Sequence, residues 1–406
     1  MLSASSASVV TATLPLVRAH GEEVTGTFYR RMFAAHPDLL NLFNRGNQAT
    51  GAQRQALAGS VVAYAEHLTG ATDLPWNAIL DRIAHKHASL GITPARYTVV
   101  GHHLLAAVAE VLGDAVTPQI AAAWEEVYWL MACELVAREA RLYHGAGVGS
   151  DVDVWRAWRV TGRTDDTADV VSFTLVPADG GPAPDFTPGQ YASVAVDLGP
   201  DDRQIRQYSL SGRPGLGGWR ITVKRIRATA DSPAGTVSTY LHDTVAVGDT
   251  LRLSPPFGEV SAVPGDGPLL LVSAGIGVTP AMSALAHLAA TDPDRPVALV
   301  HADRSESTHA LRAELGGLVN DLRDATVDLW YERVTSDHGL PGARVKAGLV
   351  DPDHIPLVPG VRVHLCGPLE FMAVVRRGLL ARGVPGGDIA YEVFGPGMLR
   401  PDADRR

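Results

Sequence analysis

Cysteine is almost missing from this 406-residue chain. Its two cysteines, Cys133 and Cys366, stand too far apart to give a ligand spacing. That excludes a cysteine-ligated metal centre and fits a reducing, cytoplasmic setting. An excess of base is missing too: 35 Lys and Arg face 44 Asp and Glu, a net charge of −9 with an isoelectric point near 5.9. Nucleic acid, whose phosphates call for a basic surface, is excluded as a partner. No uninterrupted apolar run is long enough to span a membrane. The most apolar helical stretch, residues 120–136, carries Glu125, Glu126 and Glu134 inside it, charges that a lipid core disfavours strongly. Residues 1–16 lack a positive n-region and a continuous apolar h-region, so no secretory signal is expected there. Internal repeats and low-complexity segments are absent as well.

What is present is an ordinary globular composition, 46% hydrophobic and 19% charged, with length enough for three domains at roughly 100–200 residues each. Residues 8–145 are rich in Ala, Leu and Val with helical periodicity, and Gly and Pro fall mainly at breaks. This part is expected to be all helix. Gly145-Ala146-Gly147-Val148-Gly149-Ser150 reads as a linker. Short alternating segments follow at 170–176, 191–196 and 219–223, punctuated by Pro and Gly, the pattern of a small antiparallel β-barrel. From Gly267 onward, apolar runs (269–273, 297–301, 361–366) alternate with helical stretches (281–290, 311–319, 371–382), which predicts a parallel α/β sheet. The expected boundaries are 1–147, 151–264 and 265–406.

The first candidate site lies in Asp81-Arg82-Ile83-Ala84-His85-Lys86-His87-Ala88-Ser89-Leu90. Two positions apart on a helix is about 200°, so His85 and His87 cannot share a face. His85 stands among Asp81, Arg82 and Ser89, a solvated stripe; His87 stands among Ile83, Ala84 and Leu90, an apolar one. His87 is therefore the inward histidine, either a candidate metal ligand or a satisfied core histidine. Phe28-Tyr29 is expected on a second helix, Leu42-Phe43-Asn44 after the break at Pro37, and Gln53 and Leu57 on one helix face at i, i+4.

From Phe28-Tyr29-Arg30-Arg31-Met32-Phe33 through Gln53-Arg54-Gln55-Ala56-Leu57 to Lys86-His87, the segment resembles the globin domain of flavohaemoglobins. The resemblance implies His87 as proximal ligand of a b-type haem iron, with Phe43 packed on the porphyrin. It places Tyr29, Gln53 and Leu57 on the distal side, where Tyr29 and Gln53 can donate hydrogen bonds to dioxygen. Tyr97 and Glu139 match the family's proximal hydrogen-bond set, in which a carboxylate accepting from imidazole N–H raises ligand basicity. Read alone, Tyr29 would be a core aromatic, and Glu139, beside Arg138 and Arg141, a solvated charge.

Three ordered segments resemble the FAD-binding barrel of the ferredoxin reductase superfamily: Pro188-Gly189-Gln190-Tyr191, then Arg206-Gln207-Tyr208-Ser209-Leu210, then Gly235-Thr236-Val237-Ser238. Arg206 can bind a pyrophosphate bidentately, Tyr208 can stack on an isoalloxazine, and Ser209 can bond its edge near N5. Gly235, Thr236, Val237 and Ser238 would offer backbone N–H groups at the start of a helix over 238–241. Gly275-Ile276-Gly277-Val278-Thr279-Pro280 follows an apolar strand and opens a helix, the context of a pyrophosphate loop for NAD(P)H. Cys366-Gly367-Pro368 closes the last long strand and is the second nicotinamide-side landmark. In the terminal Tyr391-Glu392-Val393-Phe394-Gly395-Pro396, the resemblance makes Phe394 a shield over the flavin and sets Glu392 between flavin and haem. A polar tail, 397–406, departs from the family and is expected to be disordered. Extra length around Gly70 and Pro75 is a second departure.

The resemblance spans essentially the whole chain and implies a nitric oxide dioxygenase. Electrons run from NAD(P)H through FAD to haem, dioxygen and nitric oxide are the small-molecule partners, and no protein partner is required for the transfer. A plain oxygen or nitric oxide binder and an oxidoreductase of organic substrates or peroxides are the rivals. A storage globin needs neither a complete reductase nor a carboxylate behind its histidine. NADH and NADPH stay open, since Asp303 could bond a ribose 2′-hydroxyl and Arg304 could accept a 2′-phosphate.

Overall fold

A computed structural model describes residues 1–43, 51–72, 74–149, 151–230, 232–335 and 340–395. Asn44, Ser150, Pro396 and the tail 397–406 lie outside these residues. The chain divides into two compact units, Met1–Trp155 with Ala195–Arg206, and Arg156–Val194 with Gln207–Arg406.

In the first unit, five α-helices stand among the described residues: α1 (Ala4–Ala35), α2 (Ala52–Leu68), α3 (Trp76–Ser89), α4 (Pro94–Leu112) and α5 (Pro118–Gly145). Ser3 starts α1 by accepting the Ser6 N–H, and Thr117 starts α5 by accepting the Ile120 N–H, each satisfying an orphan donor of the first turn. Pro94 and Pro118 occupy the first helical positions, where a missing N–H costs nothing. Pro15 sits inside α1 without ending it, so Phe28 and Tyr29 lie on the first helix rather than a second. One lost hydrogen bond is outweighed by the stripe of Val10, Leu14, Val17 and Val24 that α1 buries. Gly145, expected in the linker, is the last residue of α5.

After the helices comes an antiparallel sheet built from β1 (Arg156–Thr167), β2 (Val170–Pro177), β3 (Tyr191–Gly199), β4 (Asp202–Ser209), β5 (Trp219–Lys224) and β6 (Thr250–Leu253), in the order β4-β3-β6-β1-β2-β5. A bridge between Leu210 and Ile221 and a 2.9 Å bond from Ser211 N to Arg220 O bring the chain after β4 back to β5. The sheet thereby curls toward closure, which removes exposed edges. Helix α6 spans Thr236–Asp243, starting two residues earlier than expected.

The parallel sheet holds β7 (Leu269–Ala274), β8 (Val297–Asp303), β9 (Ala325–Tyr331), β10 (Ala343–Ala347), β11 (Arg362–Cys366) and β12 (Ile389–Glu392), ordered β10-β9-β8-β7-β11-β12 with every neighbouring pair parallel. Residues alternate faces along each strand. Leu269 and Leu271 pack with α7 (Val278–Thr291) and with Leu315 of α8 (Arg312–Asp321). Leu270 and Val272 pack on the other face with α9 (Leu369–Ala381). Burial on both faces explains why these strands read as continuous apolar runs. After β7 the chain first goes to β8 and later returns to β11 on the opposite side, which makes the carboxyl ends of β7 and β11 a topological switch point. No helix among the described residues is long and apolar enough to cross a membrane.

Helices α4 and α5 meet at Gly101, where an added Cβ would stand 2.4 Å from Cε1 of Tyr128. That ring cannot swing aside freely, because its hydroxyl donates to Tyr97 O at 2.5 Å. Gly101→Ala is therefore expected to destabilise by about 1–3 kcal/mol through overpacking. Thermal unfolding of the full chain followed by helical ellipticity measures it, and an unchanged midpoint would refute the close contact.

Candidate functional site

Helix α3 ends one residue after Ala88, so His87 falls in its last turn with Ala84 fully buried one turn behind. The His87 Nδ1 lies 2.8 Å from the Tyr97 hydroxyl and 2.9 Å from Glu139 Oε1, and the Tyr97 hydroxyl donates to the same Oε1. Three helices thus converge on one carboxylate that is 2% exposed. Burial, with the Glu139 charge second, pushes the Tyr97 phenol well up, so it remains a hydrogen-bond donor. With Nδ1 held this way, Nε2 of a partly exposed ring is the nitrogen left to ligate a metal. His85 and His87 are both half-buried. Ser89, expected on the solvated stripe, is fully buried and donates to Lys86 O instead.

Tyr29 is 5% exposed and lies edge-on to Phe43, ring centroids 5.6 Å apart. Leu57 packs into the same cluster with Phe28 and Met32, and Gln53 is half-buried one turn before it on α2.

Ser209 closes β4 with its Oγ buried and without a hydrogen-bond partner among the described residues. An orphaned hydroxyl of that kind costs about 1–3 kcal/mol unless a ligand engages it. Arg206 donates to Ile205 O at 2.6 Å and is half-buried; Tyr208 is half-buried, Gln207 exposed, and Tyr191 buried and bridged to Phe257. At 235–238 the structure corrects the expectation. Gly235 N–H is spent on Ile226 O, and the Ser238 hydroxyl accepts from Ile226 N–H while donating to Gly235 O. The amides of Thr236, Val237 and Ser238, in the first turn of α6, are the donors left for a phosphate.

At the switch point, Gly275, Ile276 and Gly277 form a single 3-10 turn that runs into α7 at Val278, with Thr279 and Pro280 buried in its first turn. A Cβ on Gly277 would meet Cys366 O at 2.5 Å, so glycine alone lets the loop after β7 lie against Cys366-Gly367-Pro368 after β11. The glycine turn after β7 and the Cys366-Gly367-Pro368 segment, some 90 residues apart in sequence, are adjacent in the fold. Cys366 also pairs in register with Glu392 of β12, and Phe394 is 47% exposed.

The flavohemoprotein of Bordetella pertussis is 43% identical to this chain over 98% of its length and 99% of the relative's. The chain belongs to the flavohemoprotein family. The globin family matches residues 26–135, and the oxidoreductase NAD-binding domain family matches residues 271–377. A flavohemoglobin of Malassezia yamatoensis, solved with bound FAD and haem, superposes with a TM-score of 0.86 at 33% identity, covering 97% of this chain and all of that one. The FAD/NAD-binding domain of a Vibrio cholerae nitric oxide dioxygenase covers 59% of this chain and 99% of that one, with a TM-score of 0.53 at 36% identity.

Sequence reasoning about this flavohemoprotein missed Tyr128, which fixes the Tyr97 backbone. A signal existed: Tyr128 and Glu139 are three helical turns apart on one face of α5, and Glu139 follows Ala132 and Leu135 along a buried stripe.

Cys366 is fully buried, and burial, then Glu392, raises its thiol well above the usual range, whereas Cys133 is exposed. Because the thiolate is the reactive form, titration of the folded chain with an aromatic disulfide reagent is expected to detect one thiol, and the second only after unfolding. Rapid reaction of both would contradict the buried placement.

Proposed function

We propose that this chain is a nitric oxide dioxygenase, with residues 1–147, 151–264 and 265–406 as its haem, flavin and nicotinamide modules. The balanced reaction oxidises two nitric oxide molecules with two dioxygen molecules to two nitrate ions, at the expense of one NAD(P)H. Bound haem supplies the oxygen chemistry, and bound FAD converts a two-electron hydride into single electrons. The chain supplies binding, orientation and hydrogen bonds.

The observation that carries this reading is the Glu139 carboxylate set behind His87. We infer that His87 ligates iron through Nε2, and that Glu139, accepting from Nδ1–H, makes the imidazole a stronger donor while Tyr97 fixes the carboxylate. A globin that only stores oxygen has no use for that push, nor for a fused reductase. On the distal side, Tyr29 and Gln53 orient dioxygen by hydrogen bonding, Leu57 limits water, and Phe43 packs on the macrocycle. In the reductase, Arg206 takes the FAD pyrophosphate, the Ser209 hydroxyl its unmet bond at the flavin edge, and Tyr208 the isoalloxazine face. The turn at Gly275 and Gly277, with the first turn of α7, cradles the nicotinamide pyrophosphate. Cys366, Gly367 and Pro368 border the nicotinamide, and Phe394 covers the flavin until it arrives.

The test is nitrate yield in air from protein loaded with haem and FAD. Two nitrate ions per NAD(P)H oxidised are expected, with the yield abolished in His87→Ala and kept in His85→Ala. Oxidation of NAD(P)H with no nitrate formed would sink the proposal. One hydrogen bond from Tyr29 to a partly charged oxygen is worth about 1.5–3 kcal/mol. Tyr29→Phe is accordingly expected to speed oxygen dissociation by roughly one to two powers of ten, read by flash photolysis or stopped flow. An unchanged rate would leave Tyr29 a packing residue.

A further inference from the structure

We propose that this chain is built for NADPH, and that Arg304 and Arg333 bind the 2′-phosphate of its adenosine. The inference rests on the nicotinamide reading above and deepens it.

In a sheet of this kind the pyrophosphate sits at the turn after one strand, and the adenosine ribose meets the end of the next. Here those are β7 with its glycine turn and β8, its direct neighbour. An NADH-selective site places an acid at that second strand's end to accept the ribose hydroxyls. Asp303 is the last residue of β8 and has the right chemistry, but its side chain is only 4% exposed. Its Oδ1 accepts the Thr308 hydroxyl at 2.6 Å and the Arg304 N–H at 2.7 Å, while Oδ2 faces His301 Nε2 at 3.8 Å. Thr308 is itself held by the Ser305 N–H at 3.1 Å, within a reciprocal cap that fixes the turn. The acid is spent inside the protein and cannot serve a ribose without dismantling this turn.

What the turn presents outward is Arg304, exposed at the position after Asp303. On the neighbouring strand β9, Tyr331 pairs with Asp303, and two residues on, Arg333 N donates to Arg304 O at 2.9 Å. Two exposed arginines therefore leave the carboxyl ends of adjacent strands with their backbones bonded together. Neither makes an ion pair among the described residues. The acids around them are largely engaged: Asp169, which feels the Arg304 charge, is paired with Arg227. Glu306 accepts the N–H and hydroxyl of Thr335. Glu332, exposed between them, bonds Asp303 O through its N–H. Guanidinium forks match phosphate bidentately. The phosphate that a dinucleotide offers at this strand end, distinct from the pyrophosphate at β7, is the adenosine 2′-phosphate.

The test uses the holoenzyme. Flavin bleaching by NADPH and NADH is followed by stopped flow, and binding of adenosine 2′,5′-bisphosphate and of 5′-AMP is measured by calorimetry. The wild-type chain is expected to prefer NADPH and the bisphosphate by about tenfold or more. Arg304→Ala is expected to cut both preferences about tenfold, Arg333→Ala less, and Arg304→Lys to retain part of them, with flavin absorbance and melting temperature showing that each variant is folded. High salt should shrink the preference, as for any phosphate–arginine contact. Equal or greater efficiency with NADH in the wild-type chain, or an NADPH:NADH ratio indifferent to Arg304, would overturn the proposal while leaving the nicotinamide reading intact. Failure of both nucleotides to bleach the flavin, with neither adenosine ligand bound, would overturn that reading and the proposal with it.

Discussion

Glu139 Oε1 receives the Tyr97 hydroxyl and the His87 ring at 2.9 Å in a place 2% open to solvent, and each of the three residues rides on a different helix. A carboxylate at that depth is tolerable only where donors reach it, and removing a partner from such a group costs about 3–5 kcal/mol. The packing of α3, α4 and α5 is consequently tied to the chemistry of one oxygen. Helix α5 must continue well past its apolar centre to carry Glu139, α4 must start at Pro94 to place Tyr97 in its first turn, and α3 must stop just after His87. Gly101 belongs to the same constraint. By letting the Tyr128 ring lie against α4, it allows that tyrosine to hold the Tyr97 carbonyl, which sets the phenol that steadies the carboxylate.

Close backbone approach plays the corresponding part at the switch point. Gly277 against Cys366 O, and Gly367 against Ala274 and Phe371, leave no room for side chains between the turns after β7 and β11. What remains at the surface is backbone N–H and a helix start, suited to an anion such as a phosphate. Burial keeps the Cys366 thiol protonated, so the sulfur in this crevice is a wall rather than a nucleophile. Asp303 shows the opposite arrangement: His301, Thr308 and the Arg304 amide hold it ionised, down to about 2 against the pull of burial. Its charge stabilises the turn and is unavailable outside.

The three-part architecture was legible because each part has its own period: helical repeats to residue 145, short alternating strands after it, then apolar runs between helices. The stripe of Ile83, Ala84 and Leu90 gave the sequence a reason to prefer His87 to His85 as the candidate ligand. Legibility failed where a residue's partner comes from elsewhere in the fold. Ser89 looks solvated beside Asp81 and Arg82, yet tertiary packing buries it. Phe28-Tyr29 reads as part of a second helix, yet the buried face of α1 carries the first one through Pro15 to reach it. Gly235 offers an amide in sequence, but Ile226, nine residues away, has already taken it. Asp303 and Arg304 read as equal candidates until the Thr308 hydroxyl and the Arg304 N–H occupy the acid.

Local consistency is the rule in folded chains, and exceptions gather where a ligand completes the structure. Unsatisfied buried atoms alone do not locate such places. His364 Nε2 on β11 lacks a partner among the described residues, but it lies in an apolar core where burial lowers the ring to about 4 and keeps it neutral. Nothing there converges on it. Ser209 Oγ differs in standing at the end of a strand, in a segment that also carries Arg206 and Tyr208, the residue types proposed above to hold the flavin. Glu139 Oε2 differs in belonging to a carboxylate whose other oxygen already organises a candidate iron ligand. The discriminating feature is an unmet polar atom coupled to groups aimed at the same absent partner. The fold tolerates the local cost of such atoms where binding restores it.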